Sequence, residues 1–153
     1  MKRIDPKSLE EWDSDMELVQ QYIDDLPEIP EIVFTENAAF QDLRSLQRQI
    51  EIFGRVDKMY SRAAAAVKVL RSTMMHWRDL EVAKKRDATL IRLDQFQKEK
   101  DRDAWIRVRT EEYHSRYRAS NLTLDLIQSR KRLLKRQQEN LQEVINIEKR
   151  LLV

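Results

Sequence analysis

The chain has 153 residues, 37% of them charged, with a mean hydropathy of −0.72 and a formal net charge of +2. Hydrophobic residues make up 41%, enough for apolar seams along helices but thin for a deep globular interior. The absence of cysteine excludes disulfides, thiolate metal sites and thiol nucleophiles, and no apolar run approaches the ~18 residues of a membrane span.

Gly54 is the only glycine, and Pro6, Pro27 and Pro30 all lie in the first 30 positions, so 99 residues from Arg55 to Val153 contain neither helix interrupter. The fold class this predicts is all-α: a long helical hairpin or coiled-coil rod with a short N-terminal helix packed on it. The small net charge conceals an asymmetry. Residues 1–36 carry three Lys/Arg against eleven Asp/Glu, and residues 37–153 carry 26 against 16. An acidic arm joined to a basic body can pack on it electrostatically.

Residues 1–26 read as an acidic amphipathic helix, with Asp5 as cap and Pro6 in the first turn. Leu9, Trp12, Met16, Val19, Ile23 and Leu26 recur at steps of three and four, a stripe for packing on another helix. Pro27 ends it. Residues 27–37 form a Pro-containing extended linker, too apolar at Ile29, Ile32, Val33 and Phe34 to be a free tether. Asn37 or Thr35 is the expected cap of the next helix.

Residues 38–153 are the basic long-helix body. Its first stripe runs through Leu43, Leu46, Ile50, Phe53, Val56, Tyr60, Ala63, Val67, Leu70, Met74 and Trp77, with Gly54 marking a kink or a close helix contact. A second seam runs from Ile106 through Thr110, Tyr113, Tyr117, Ser120, Leu124, Ile127, Leu134, Leu141 and Ile145. Lys131, Gln138 and Glu148 are polar intrusions in it, and Leu122, Leu126, Leu133, Val144, Ile147 and Leu151 form an apolar flank beside it. Residues 98–103, KEKDRD, are the expected place for a reversal. Facing positions then sum to about 201, setting Phe96 beside Trp105 and Trp77 beside Leu124. Without a reversal, residues 38–153 form one rod of roughly 170 Å at about 1.5 Å per residue.

Catalytic, metal and cofactor sites are not expected. His76 and His114 stand 38 apart without a neighbouring ligand set, and a single glycine rules out a Gly-rich phosphate loop or a Gly-flanked serine nucleophile. Residues 121–141 superficially resemble a basic-leucine-zipper junction, but Ser129 stands eight residues after Asn121 where that family places Arg.

The function expected is therefore non-catalytic: an assembly or adaptor subunit acting through helix contacts with itself or a helical partner. Its contact seam would be Leu9, Trp12, Met16, Val19, Ile23 and Leu26 together with Leu124, Ile127, Leu134, Leu141 and Ile145. The alternative is a nucleic-acid-binding accessory factor for single-stranded DNA or RNA, in recombination or packaging. Its contacts would be Arg116, Arg118, Arg130, Lys131, Arg132, Lys135 and Arg136, since residues 115–136 hold seven Lys/Arg and one acid. No membrane and no small-molecule substrate are expected, and the location expected is intracellular or virion-associated.

Overall fold

The computed structural model describes residues 3–33, 42–90, 96 and 98–152. Among these the chain is all-α: α1 (Leu9–Asp24), α2 (Leu43–Leu90), α3 (Glu99–Arg109) and α4 (Glu111–Leu151). The long helices α2 and α4 pack against each other, with short α1 beside them. Contacts divide the chain into two compact units, the first made of Met1–Met16 and Ala66–Leu124, the second of Glu17–Ala65 and Asp125–Val153.

The first unit begins with a helix start that differs from the expected one. Ser8, not Asp5, caps α1: the Glu11 N–H donates to Ser8 Oγ at 3.2 Å, and the Lys7 N–H donates to Glu11 Oε2 at 2.6 Å. This Ser-x-x-Glu pairing resembles a capping box: it satisfies the orphan Glu11 N–H of the first turn, while the glutamate reaches back to the Lys7 N–H just before the cap. Pro6 is instead buried ahead of the helix. Trp12 is buried, and its indole Nε1–H donates to the Leu70 carbonyl at 2.8 Å. Leu70 and Met74 of α2 and Ile106, Thr110, Ser120 and Leu124 are buried in the same unit.

Residues 99–103 are not a reversal but the first turn of α3. Lys98 is extended (φ −139°, ψ 148°), and Glu99 and Asp101 lie where acids favour a helix N-terminus. KEKDRD lacks apolar residues because that turn faces solvent. Residues 91–95 and 97, between α2 and α3, lie outside the described residues. A one-residue break at Thr110 (φ −111°, ψ 10°) separates α3 from α4. The Thr110 hydroxyl, buried, donates to the Ile106 carbonyl at 2.8 Å, a back-bond that bends helices.

In the second unit Val19 and Ile23 of α1, Leu46, Phe53, Val56, Tyr60, Ala63 and Ala64 of α2, and Ile127, Leu134, Leu141 and Ile145 of α4 are buried. Asp42 starts α2, accepting from the Arg44 N–H at 3.0 Å; the expected caps Thr35 and Asn37 lie outside the described residues. A Cβ built at Gly54 meets nothing within 4 Å, so no helix makes a close approach there. Residues 27–33 run extended along α2. The Tyr60 hydroxyl donates to the Pro27 carbonyl at 3.2 Å, and the Gln49 side chain bonds both the N–H and the carbonyl of Val33 at 2.8 Å. Six extended residues at about 3.1 Å each match the eleven-residue step from Tyr60 to Gln49 at about 1.5 Å each.

The pairing register differs from the expected one by about a heptad. Arg78 lies 4.4 Å over the Tyr117 ring in the first unit, positions summing to 195. In the second, Lys131 Nζ donates to Ser61 Oγ at 2.7 Å, positions summing to 192. One expected pair summing to 201 does meet, Phe96 edge-on to Trp105 at 5.8 Å. A heptad seam packs almost equally well one repeat along, so the stripe alone does not select the register.

Candidate interaction surface

Within the first unit the acidic arm meets the basic body through one well-formed pair. Asp13 accepts from Arg116 Nε at 2.8 Å and from a terminal guanidinium nitrogen at 2.9 Å, and Arg116 also donates to the Glu112 carbonyl. Bidentate geometry of this kind makes a strong ion pair. The Arg116 hydrogen bond holds the Asp13 carboxyl below its ordinary pKa and raises the guanidinium in turn. Arg118 pairs with Glu111. Arg116 and Arg118, two expected nucleic-acid contacts, thus have their charge engaged within the chain.

The remaining basic residues lie on α4 in the second unit. Arg132, Lys135 and Arg136 are exposed, Arg130 and Lys131 half-buried. Arg132 donates to Ser129 Oγ at 3.1 Å. Arg130 and Leu133 border a groove of about 600 Å³ with Ile23, Leu26, Pro27 and Tyr60. No ion pair forms in this unit among the described residues; the six that do form all belong to the first.

The expected contact seam is largely taken up inside the chain. Trp12, Val19, Ile23, Leu124, Ile127, Leu134, Leu141 and Ile145 are buried, while Leu9, Met16 and Leu26 are half-buried. These residues are core because α2 and α4 use them on each other and on α1. The flank is what stays outside: Leu126, Leu133, Ile147 and Leu151 are 45–57% exposed, and Val144 is half-buried. Their steps of seven, eleven, three and four are close to whole helical turns, so they form one outer stripe on α4 about 38 Å long. Polar Gln137 and Asn140 fall on this face in the step from Leu133 to Val144, so the stripe is two exposed apolar stretches on one helix.

His76 is exposed, and half-buried His114 is held below its usual pKa by burial and then by the Arg78 guanidinium. Among the described residues no three His, Cys, Asp or Glu side chains gather as metal ligands, and no helix is long and apolar enough to cross a membrane. The periodicity did not disclose Asp13 as the partner of Arg116, nor Ser61 as that of Lys131. Both partners are polar, off the seam and distant in sequence, so charge balance between segments was the only signal available. None of the family models, curated proteins or solved structures compared with this chain matches it.

Proposed function

We propose that the chain is a non-catalytic assembly or adaptor subunit acting by helix-to-helix contact, with the outer stripe of α4 as its contact surface. The observation that supports it is the exposure of Leu126, Leu133, Ile147 and Leu151 on a helix whose adjacent face, about 100° round the axis, is already buried in the chain. A helix apolar on two faces has a second neighbour to meet. The cysteine-free sequence fits an intracellular or virion setting.

The test is sedimentation velocity of the full chain beside Leu126→Gln/Leu133→Gln/Ile147→Gln. The wild type associates at roughly tens of micromolar, and the triple variant is monomeric with unchanged helical circular dichroism. A monomeric wild type indistinguishable from the variant overturns the reading. The exposed Arg132, Lys135 and Arg136 support a second reading, a nucleic-acid accessory factor. It requires binding of a single-stranded oligonucleotide near roughly 150 mM salt. That binding must weaken steeply with added salt and be lost when Arg130, Arg132, Lys135 and Arg136 become Gln. The engagement of Arg116 and Arg118 with carboxylates favours the first reading.

A further inference from the structure

We infer that the occupant of the outer α4 stripe is the same stripe of a second copy, laid antiparallel about a two-fold axis between Gln137 and Gln138; the inference rests on the assembly reading above. Its basis is the charge order of α4. Residues 130–136 carry five Lys/Arg and no acid, whereas residues 137–148 carry Glu139, Glu143 and Glu148 and no base. A two-fold axis between the two runs lays each on the other in the second copy. An interface that pairs one patch with itself in this way closes as a dimer.

The register follows from side chains next to the stripe. Asp125, Arg132, Arg136, Glu139, Glu143 and Arg150 are all exposed, and none is in an ion pair among the described residues. When opposed positions sum to 275, Asp125 meets Arg150, Arg132 meets Glu143 and Arg136 meets Glu139. All three pairs are of opposite sign, and symmetry doubles them. The same rotation sets Leu126 between Ile147 and Leu151, and Leu133 near Val144. Sliding one heptad either way sets Arg132 against Arg136 or Arg150, and Glu143 against Asp125 or Glu139. Parallel pairing sets each charge against its own copy. One register satisfies both leucines and charges, and its neighbours are repulsive, which is how helices choose a partner orientation.

The native chain has no cysteine, so crosslinks report the geometry without background. In the full chain Gln137→Cys, beside the axis, forms a disulfide-linked dimer on oxidation. Leu126→Cys alone does not, but an equimolar mixture with Ile147→Cys does, because bridged Cα atoms must come within about 7 Å. Arg132→Glu/Arg136→Glu weakens self-association roughly tenfold or more, since four pairs turn repulsive, and adding Glu139→Arg/Glu143→Arg restores it. Self-crosslinking of Leu126→Cys, or association without the mixed crosslink, overturns the antiparallel second copy and leaves the assembly reading standing. A monomeric chain at roughly tens of micromolar overturns the second copy; if the stripe substitutions also change nothing, the assembly reading falls with it. Association that appears only after a single-stranded oligonucleotide is added overturns the inference in favour of a nucleic-acid-bridged assembly.

Discussion

The two units solve the same problem, a chain with 37% charge, in opposite ways. The first turns its charges on itself. It holds Asp13 against Arg116, Arg78 over Tyr117, Arg109 at 3.9 Å over Trp105, and all six ion pairs found among the described residues. The second joins its helices by apolar packing and a charged contact, Lys131 to Ser61, and holds residues 27–33 by neutral hydrogen bonds from Tyr60 and Gln49. Its charges and its α4 stripe face outward. Directional polar contacts use up the groups that would otherwise recognise a partner. An apolar core leaves them available, and this distinguishes a self-contained half from an outward-facing one.

The largest expected effect tests the first unit's fastening. Trp12→Ala removes a buried indole and its bond to the Leu70 carbonyl, and stability in urea should fall by about 3–5 kcal/mol. Trp12→Phe should recover most of the loss, leaving a deficit of about 1–3 kcal/mol for the unpaired carbonyl and the smaller ring. Equal stability of the two variants would mean that the indole is not packed as described.

A smaller effect of opposite sign belongs to the second unit. Gly54 lies inside α2 with open space around its missing Cβ. Gly54→Ala should raise stability by about 0.5–1 kcal/mol in the same denaturation experiment, through lower unfolded-state entropy. A loss of stability would show a close neighbour where there is none.

The smallest effects sharpen the contrast through salt and pH. Asp13→Asn should cost no more than about 1 kcal/mol, because half of that side chain is in water, and the loss should shrink with added salt. His114 and Asp13 both have lowered folded-state pKa values, so the unfolded chain binds more protons than the folded one as pH falls. The first unit's stability is full at neutral pH. It begins to decline below the ordinary histidine value of 6.5, and again below the ordinary carboxylate value of 3.8. Hydrogen exchange at pH 7 and 5.5 should register the first decline in α3 and the start of α4, and His114→Gln should flatten it. Equal acid sensitivity around Leu134 and Leu141 would erase the distinction between the units.

The spacing of Leu46, Phe53, Tyr60, Leu134 and Leu141 was enough to read long helices and their inward faces, because one apolar residue per turn has few other uses in so polar a chain. The register was not legible, since a heptad seam repeats itself, and an error of one repeat leaves leucine opposite leucine. The start of α1 is ambiguous in the sequence because Asp5-Pro6 and Ser8-x-x-Glu11 are both good starts; in the fold the second prevails by bonding the Glu11 and Lys7 N–H groups. Which apolar face of α4 stays outside followed only once α2 had claimed the other. The charges flanking Leu126 and Ile147 were in the sequence throughout, but without the exposed face there was no reason to align them.

The sequence distance spanned by each cross-helix contact bears on folding order. Arg78 and Tyr117 are 39 residues apart, whereas Ser61 and Lys131 are 70 apart. Closing the longer loop first costs only about 0.5 kcal/mol more by the logarithmic rule. The kinetic route nevertheless favours pairing that starts at the contacts nearest in sequence and advances to the more distant ones, each contact shortening the loop left for the next. The segment bearing Leu133 and Ile147 therefore reaches its place late in folding. Until then its inner seam and its outer stripe are both bare, and exposed apolar surface of that extent favours aggregation of a chain at high concentration.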